Sequence, residues 1–364
     1  MRPMDVAGRV PRLRVRLEEA GCDAALITRV VNVRYLSGFT GSAGMLLVLP
    51  DDLHFVTDGR YGDQAAEELG RAGVEAAVHV GRTMPEQRSH VVDRVGGTAR
   101  LGLEAEAVTW AQHRRFTTEW FPDLELVPTE DLVEGLRRVK DYGEVDRMAA
   151  AAAVADHALA TCRSMLAEGV TEADFAVALD FEMRRGSDGP SFETIVASGP
   201  NGAKPHHHPT DRRIEAGELV VVDFGAQLDG YCSDMTRTFC VGEPSPTARR
   251  MVEVVAQSQR VGVATVAGGV RAQAVDEACR SVIQDAGWAD AFLHSTGHGV
   301  GLEIHEAPRV ASTSADTLEP GYVVTVEPGV YLPEHGGVRI EDTVVVTSEG
   351  CRTLTNAPKD LILT

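Results

Sequence analysis

The chain has 364 residues, with 35 basic and 54 acidic side chains and a formal net charge of −19. At about 100–200 residues per domain, this length implies two or three domains with cores that need no covalent staples. The acidity, with no long Lys/Arg run, excludes nucleic acid and anionic membrane as partners and leaves room for cations. The longest apolar run, Met148 to Ala155, is eight residues, far below the roughly 18 of a membrane span. The N-terminal MRPMDVAGRVPRLRVRLEEAG lacks an apolar signal core, so no secretory signal is expected. Six scattered cysteines without a CxxC pair predict reduced thiols in a cytoplasmic protein. Five read as small core residues. Cys232 lies beside the acidic hairpin described below but is not expected to be a nucleophile.

In chain order, the first 130 residues alternate helix-like and strand-like segments. Val10 to Glu19 has helical apolar spacing and stops near Gly21. Ala24 to Ile27, Met45 to Val48 and His54 to Val56 read as strands. Tyr61 to Arg71 and Ala107 to Trp120 read as helices, interleaved with strand-like Ala76 to Val80 and Leu124 to Val127. This rhythm predicts a small α/β domain. RYLSGFTGSAG, Arg34 to Gly44, reads as a loop, either a plain connection or a cleft wall. A boundary is expected within Asp131 to Lys140, giving domains 1–132 and 133–364. A long helix should follow from about Gly143 to Ala167. Thr171-Glu-Ala-Asp174 opens a second helix with a capping-box-like start, ended by Gly186. Ser245-Pro246 opens a third, with proline in its first turn, and a fourth runs from about Arg271 to Ala286. Strands are expected at Phe192 to Ala197, Leu219 to Phe224, Tyr231 to Cys240, Tyr322 to Val326 and Val338 to Val346. The C-terminal part is therefore α+β, with antiparallel hairpins and no internal repeat visible in the sequence.

The strongest local signal is LVVVDFGAQLDGYCSDMTRTF, Leu219 to Phe239. A tight turn at Asp229-Gly230 sets Asp234 opposite Gly225. Asp223 then lies on the same face as a diagonal neighbour, with backbones about 7–8 Å apart. Two carboxylates converge from a valine-rich strand, and Gly225 leaves space between them. Unpaired, they would repel and their pKa values would rise. Either one faces solvent or pairs with an arginine such as Arg237, or a metal ion removes the repulsion. In STGHGVGLEIHEAPR, Ser295 to Arg309, glycines flank His298 and allow close approach of backbone and ligand; His305 follows. VVTVEPGVY places Glu327 at the end of an apolar strand that Pro328-Gly329 terminates. GGVRIEDTVVV sets Arg339 and Glu341 on one strand face, where Arg339 could neutralise Glu341. Each feature alone is ambiguous. Together, Asp223, Asp234, Glu327 and Glu341 bring four carboxylates into one cleft beside His298, and two divalent cations balance them. Hard oxygen donors with one nitrogen and no thiolate suit Mn²⁺, Co²⁺, Zn²⁺ or Fe²⁺. Two such ions about 3.5–4 Å apart acidify a shared water and polarise a scissile carbonyl.

These stretches resemble the pita-bread metallopeptidases: aminopeptidase P, prolidase and methionine aminopeptidase. VVDFGAQLDGYCSDMTRTF, HSTGHGVGLEIHE, TVEPGVY and GVRIED carry the resemblance across about Leu136 to Thr364. RYLSGFTGSAG and TDGRY resemble the creatinase/prolidase-type N-terminal domain, which methionine aminopeptidase typically lacks. The implied fold is an α/β N-terminal domain followed by an α+β pita-bread catalytic domain. The resemblance implies that Asp223 binds one ion, Asp234 and Glu341 bridge both, and His298 and Glu327 complete the second ion's shell. It also implies that Glu327 moves the proton between the water and the leaving amine. His206, in SGPNGAKPHHHPTD, matches a cleft histidine that stabilises or relays protons. His207 and His208 read as loop residues. His294 and His305 match substrate-contacting histidines, and Tyr331 and Arg339 match residues that orient the ligands and bound substrate. Creatinase and some histone-chaperone relatives share the fold without the metal ligands. All five ligands stand here, which argues against a creatinase activity and against a non-catalytic binding module.

The implied activity is that of an Xaa-Pro aminopeptidase, which cleaves small peptides with proline at the second position by a metal-bridging hydroxide. The alternative is an Xaa-Pro dipeptidase, or prolidase, which needs a cation for the free proline carboxylate; Arg309 in HEAPR is the candidate. A cytoplasmic homodimer with two divalent ions, Mn²⁺ by preference, completes these expectations.

Overall fold

Short apolar runs separated by polar turns build the N-terminal part as a mixed sheet. The computed structural model describes residues 1–359 and the backbone of Ile362 and Leu363. Two units are distinguished: Met4–Arg137, and Met1–Pro3 with Arg138–Thr364. In the first, the strand order is Ala77–Val80, Leu53–Thr57, Met45–Val48, Ala24–Ile27, Arg100–Glu104, Glu125–Thr129. Pairing is antiparallel across Leu53–Thr57, Met45–Val48 and Ala24–Ile27, and parallel elsewhere. The central strand Ala24–Ile27 is buried throughout, as strands covered on both faces are. Helix Arg9–Glu19 buries Val10, Leu13 and Leu17 at helical spacing.

Several elements differ from expectation. Arg34–Ser37 are not loop: they close helix Val30–Ser37, which ends at Gly38 in the left-handed region, φ 75°. Helix Met84–Val92 and strand Arg100–Glu104 add to the expected set. The segment expected as one helix to Trp120 is α-helical over Trp110–Arg115, capped by Thr109, and π-helical over Phe116–Trp120.

The second unit consists of two like halves. Helices Tyr142–Cys162 and Glu172–Arg184 share a core with strands Met235–Val241, Leu219–Phe224 and Ile195–Ser198, whose sheet the backbone of Ile362–Leu363 extends beside Met235–Val241. Helices Pro246–Thr265 and Ala272–Asp285 share another with Glu306–Val310, Gly297–Gly299, Val323–Val326, Asp342–Val346, Cys351–Thr353. The expected caps form: Thr171 Oγ1 accepts from Asp174 N–H at 3.0 Å, and Ser245 Oγ from Ala248 N–H at 3.1 Å. In one half Gly169 N–H donates to the Ile214 carbonyl and Ile214 N–H to Val170; in the other Gly269 donates to Leu318 and Leu318 to Val270. This repeat escaped the sequence because the shared part is a backbone pattern around Gly-Val, while the following side chains differ.

Two long expected strands are interrupted. Tyr231 to Cys240 divides into Tyr231–Cys232 and Met235–Val241; Val338 to Val346 divides into Gly336–Arg339 and Asp342–Val346. The breaks fall at Ser233-Asp234 and Ile340-Glu341, so two of the expected ligands stand where a ladder opens. All six cysteines are free, five of them buried and Cys351 half-buried. No helix among the described residues is long and apolar enough to cross a membrane.

Candidate metal centre

The hairpin register holds through its turn. Leu228 pairs with Tyr231 and Asp223 with Thr236, which sets Asp234 opposite Gly225. A Cβ on Gly225 would lie 1.9 Å from the Ser233 carbonyl oxygen and 2.4 Å from Ser191 Oγ. The space expected between the two acids is therefore filled by protein, and glycine lets these groups close over the bend. The glycines beside His298 work alike: a Cβ on Gly297 would meet the Thr325 carbonyl at 2.0 Å.

Asp234, His298 and Glu341 each place one ligand atom within 4.8 Å of the others. His298 Nε2 lies 3.5 Å from Asp234 Oδ2 and 3.4 Å from Glu327 Oε1. Its Nδ1 is 3.0 Å from the Gly299 carbonyl, which fixes the proton there and leaves the Nε2 lone pair facing the carboxylates. Burial pushes His298 down to about 4, so the ring is neutral at neutral pH.

The carboxylates are crowded. Asp223 Oδ2 accepts from Arg339 Nη2 at 2.7 Å, and Glu341 Oε2 accepts from Thr236 Oγ1 at 2.7 Å. The other oxygens, Asp223 Oδ1 and Glu341 Oε1, are buried without a partner. Arg339 thus pairs with Asp223 rather than Glu341. Arg237 pairs with neither hairpin acid; it donates to Asp342 Oδ1 at 2.9 Å and to the Glu341 carbonyl at 2.5 Å. Burial, then the charges of Glu341, Asp223 and Glu327, hold Asp234 well above the usual carboxylate range. Burial, then Glu327 and Asp223, do the same to Glu341. Burial, opposed by Arg339 and reinforced by Asp223, raises Glu327 to about 8. Orphaned buried oxygens, mutual repulsion and a neutral imidazole nitrogen aimed among them form a donor set that fits divalent cations.

These five residues line one cavity of about 930 Å³, together with His206, His294, His305, Arg309 and Arg339. The His305 ring lies 4.4 Å from that of His298, edge to face. Arg309, expected in a loop or as a clamp, stands on strand Glu306–Val310 directly across from His298, and no ion pair engages it among the described residues. Tyr331 is not at the surface of the cavity: it is 4% exposed, and its hydroxyl joins His294 Nε2 and Arg339 Nη1, each at 2.8 Å. It braces two cavity residues from behind, because its ring packs where Arg339 crosses. His207 and His208 reach Glu172 and Glu193, at 2.9 and 3.0 Å.

Sequence reasoning missed several supporting groups. Thr325 Oγ1 accepts from His298 N–H at 3.1 Å and donates to Glu327 at 3.3 Å. Lys140 and Glu306, both buried, pair at 3.0 Å beside His305. The signal for the threonines was alternation: Asp234 and Thr236, like Thr325 and Glu327, are two residues apart. Nothing local foretold Lys140.

A cavity ringed by under-neutralised buried acids, carried by two like helix-and-sheet halves, defines a metal-dependent hydrolase with the pita-bread fold. Residues 146–348 match metallopeptidase family M24, and residues 9–139 match the creatinase/prolidase N-terminal domain. The chain belongs to metallopeptidase family M24. It is 42% identical over 356 residues to the uncharacterised peptidase YqhT of Bacillus subtilis, covering 98% of this chain and 99% of that one. A solved Xaa-Pro dipeptidase from Bacillus anthracis superposes with a TM-score of 0.94 at 40% identity, over 98% of this chain and 100% of that one. A solved X-Pro aminopeptidase from Thermotoga maritima gives 0.88 at 33% identity, over 96% and 100%.

Proposed function

We propose that the chain is a dinuclear-metal Xaa-Pro exopeptidase, with residues 1–132 as its N-terminal domain and 133–364 as its catalytic domain. The carrying observation is the convergence of Asp223, Asp234, His298, Glu327 and Glu341 on one cavity, with buried oxygens left unpartnered. These five residues would hold two divalent ions, Mn²⁺ by preference and Co²⁺, Zn²⁺ or Fe²⁺ as alternatives for so oxygen-rich a set. When bound, such a pair activates water and polarises the scissile carbonyl. Glu327 Oε takes a proton from the attacking water and returns it to the prolyl nitrogen as the C–N bond breaks. His206 and His305 face the reacting amide, His294 contacts the substrate under the brace of Tyr331, and Arg339 holds Asp223 in place. Free thiols support a reducing, cytoplasmic setting, and the homodimer stays part of the proposal. Metal-free protein should be inactive and regain Xaa-Pro cleavage with Mn²⁺ or Co²⁺. Cleavage by Asp234→Ala protein with no bound metal would overturn the reading.

We read the enzyme as an aminopeptidase, because a cavity of about 930 Å³ has room for chain beyond the proline. A dipeptidase reading is favoured by one observation: Arg309 brings a cation without a carboxylate partner to the cavity, which a free prolyl carboxylate would satisfy. The name of the Bacillus anthracis structure supports it as well. Xaa-Pro and Xaa-Pro-Yaa substrates separate the two. If Arg309 clamps the terminal carboxylate, Arg309→Ala should reduce dipeptide turnover by about 10–100-fold and spare the longer peptide. Equal loss on both substrates removes the clamp.

A further inference from the structure

Glu172, the first residue of helix Glu172–Arg184, has a side chain with no exposure and does not line the cavity. Its Oε1 accepts from Ser198 N–H at 2.7 Å, Ser198 Oγ at 2.8 Å and Asn201 Nδ2 at 3.2 Å. Its Oε2 accepts from His207 Nε2 at 2.9 Å, Thr210 N–H at 3.1 Å and Thr210 Oγ1 at 2.8 Å. Every one of these donors belongs to segment 198–210. Two stand at its start and two near its end, so one carboxylate ties both ends together. Between the ties lie Pro205 and His206, which line the cavity, and the Pro205 carbonyl accepts from Arg339 Nη1 at 3.2 Å. Arg212 adds a further tier, donating to Ser198 Oγ at 2.7 Å and pairing with Glu218.

Helix initiation does not explain this carboxylate. Thr171 already caps the helix, and the like half of the unit starts its own helix with Ala272 at the corresponding place. There Ala272 N–H donates to the Asp316 carbonyl, as Glu172 N–H does to Arg212. The fold therefore makes this turn without an acid, at no cost of burying one. What distinguishes the first half is the polar segment GPNGAKPHHHPT that crosses the cavity. Its glycines and prolines give it no ladder to hold it, and His206 is exposed at its crest.

We propose that Glu172 is a positioning residue of the active site: it clamps segment 198–210 and thereby fixes the His206 imidazole over the cavity and the Pro205 carbonyl on Arg339. The proposal rests on the reading of His206 as a catalytic group. Glu172 acts through hydrogen-bond geometry, since its negative charge is spent on protein donors.

The test uses Glu172→Gln and the milder Thr210→Val in the metal-loaded full chain, with amide hydrogen exchange, kcat and KM on an Xaa-Pro peptide as readouts. Glu172→Gln should speed exchange at Ser198 and Thr210 and lower kcat by about 10–100-fold, the cost of misplacing a reacting group, with KM within about threefold of wild type. Thr210→Val, which loses one hydroxyl, should shift both in the same direction by less. In a His206→Ala background, Glu172→Gln should cost little more, because the residue it acts through is gone. Unchanged exchange in segment 198–210, or the same loss of kcat with and without His206, overturns the clamp. A wild-type enzyme inactive on every Xaa-Pro peptide overturns the proposed function instead, and the exchange readout stays independent of it.

Discussion

In the N-terminal unit, Glu104 is 7% exposed and accepts from Thr28 N–H at 2.6 Å, Arg29 N–H at 2.9 Å and Asn32 Nδ2 at 2.7 Å. In the catalytic unit, Glu341 is 1% exposed; its Oε2 accepts from Thr236 Oγ1, and its Oε1 is left without a partner. Asn32 extends the first arrangement, donating to Glu134 at 2.7 Å and accepting from Arg137 at 2.8 Å. Around Glu341 the neighbours are instead more acids. Burial raises both carboxyls, but donors oppose it at Glu104, whereas Glu327 and Asp223 add to it at Glu341. A buried acid supplied with donors builds the fold; one denied them holds a place for a cation. Glu172 belongs to the first kind, although it serves the second.

The sharpest way to break this contrast is to remove what the second arrangement awaits. Chelation should abolish peptidase activity and Mn²⁺ should restore it. Asp234→Ala and His298→Ala should stay at background after Mn²⁺ addition, with metal content measured alongside. Full activity in chelated protein would mean that the orphaned oxygens of Asp223 and Glu341 have another purpose.

A smaller effect separates the two carboxylates by sign. In metal-free protein, Glu341→Gln should leave the melting temperature unchanged or raised, because the amide replaces an acid whose charged form burial and the neighbouring carboxylates disfavour. Glu104→Gln should lower stability by about 1–3 kcal/mol, because an amide NH₂ then meets the donors of Thr28, Arg29 or Asn32. Calorimetry on both variants decides it, and a destabilised Glu341→Gln would erase the distinction.

The same contrast explains what could be read in advance. The Asp229-Gly230 turn, the Ser245 and Thr171 caps and the alternation of Asp223 with valines are local, so neighbouring residues encode them. The five candidate ligands each end or punctuate an apolar strand or a Gly-rich turn, which made them visible one motif at a time. Glu172 was hidden because its donors lie 26–38 residues away, and within its own helix it looks like any first-turn acid. Helix Val30–Ser37 was masked by its polar, glycine-bounded end. The strand breaks at Ser233-Asp234 and Ile340-Glu341 were hidden too, since strand-forming residues continue beyond each, Met235–Val241 and Asp342–Val346, and only tertiary packing opens the ladder.

Histidines give the smallest and most selective test. His79 in the N-terminal unit and His298 in the cavity are both pushed down to about 4: His79 by burial, then Arg94, His54 and His90, and His298 chiefly by burial. An unfolded histidine titrates near 6.5, so between that value and about 4 the unfolded chain binds more protons. Stability from each neutral ring is fully present above pH 6.5 and is lost as pH falls towards 4. His79 Nε2 meets His54 Nδ1 at 3.1 Å, away from any expected ligand. His79→Gln should therefore flatten the acid side of the stability profile slightly, by the same amount with and without chelator. The contribution of His298 should depend on metal, because a bound cation competes with the proton for Nε2. Thermal melts at pH 4–7, with and without chelator, separate the two. If chelation changed the His79-dependent part, the N-terminal histidines would belong with the cavity and not with the donor-satisfied interior typified by Glu104.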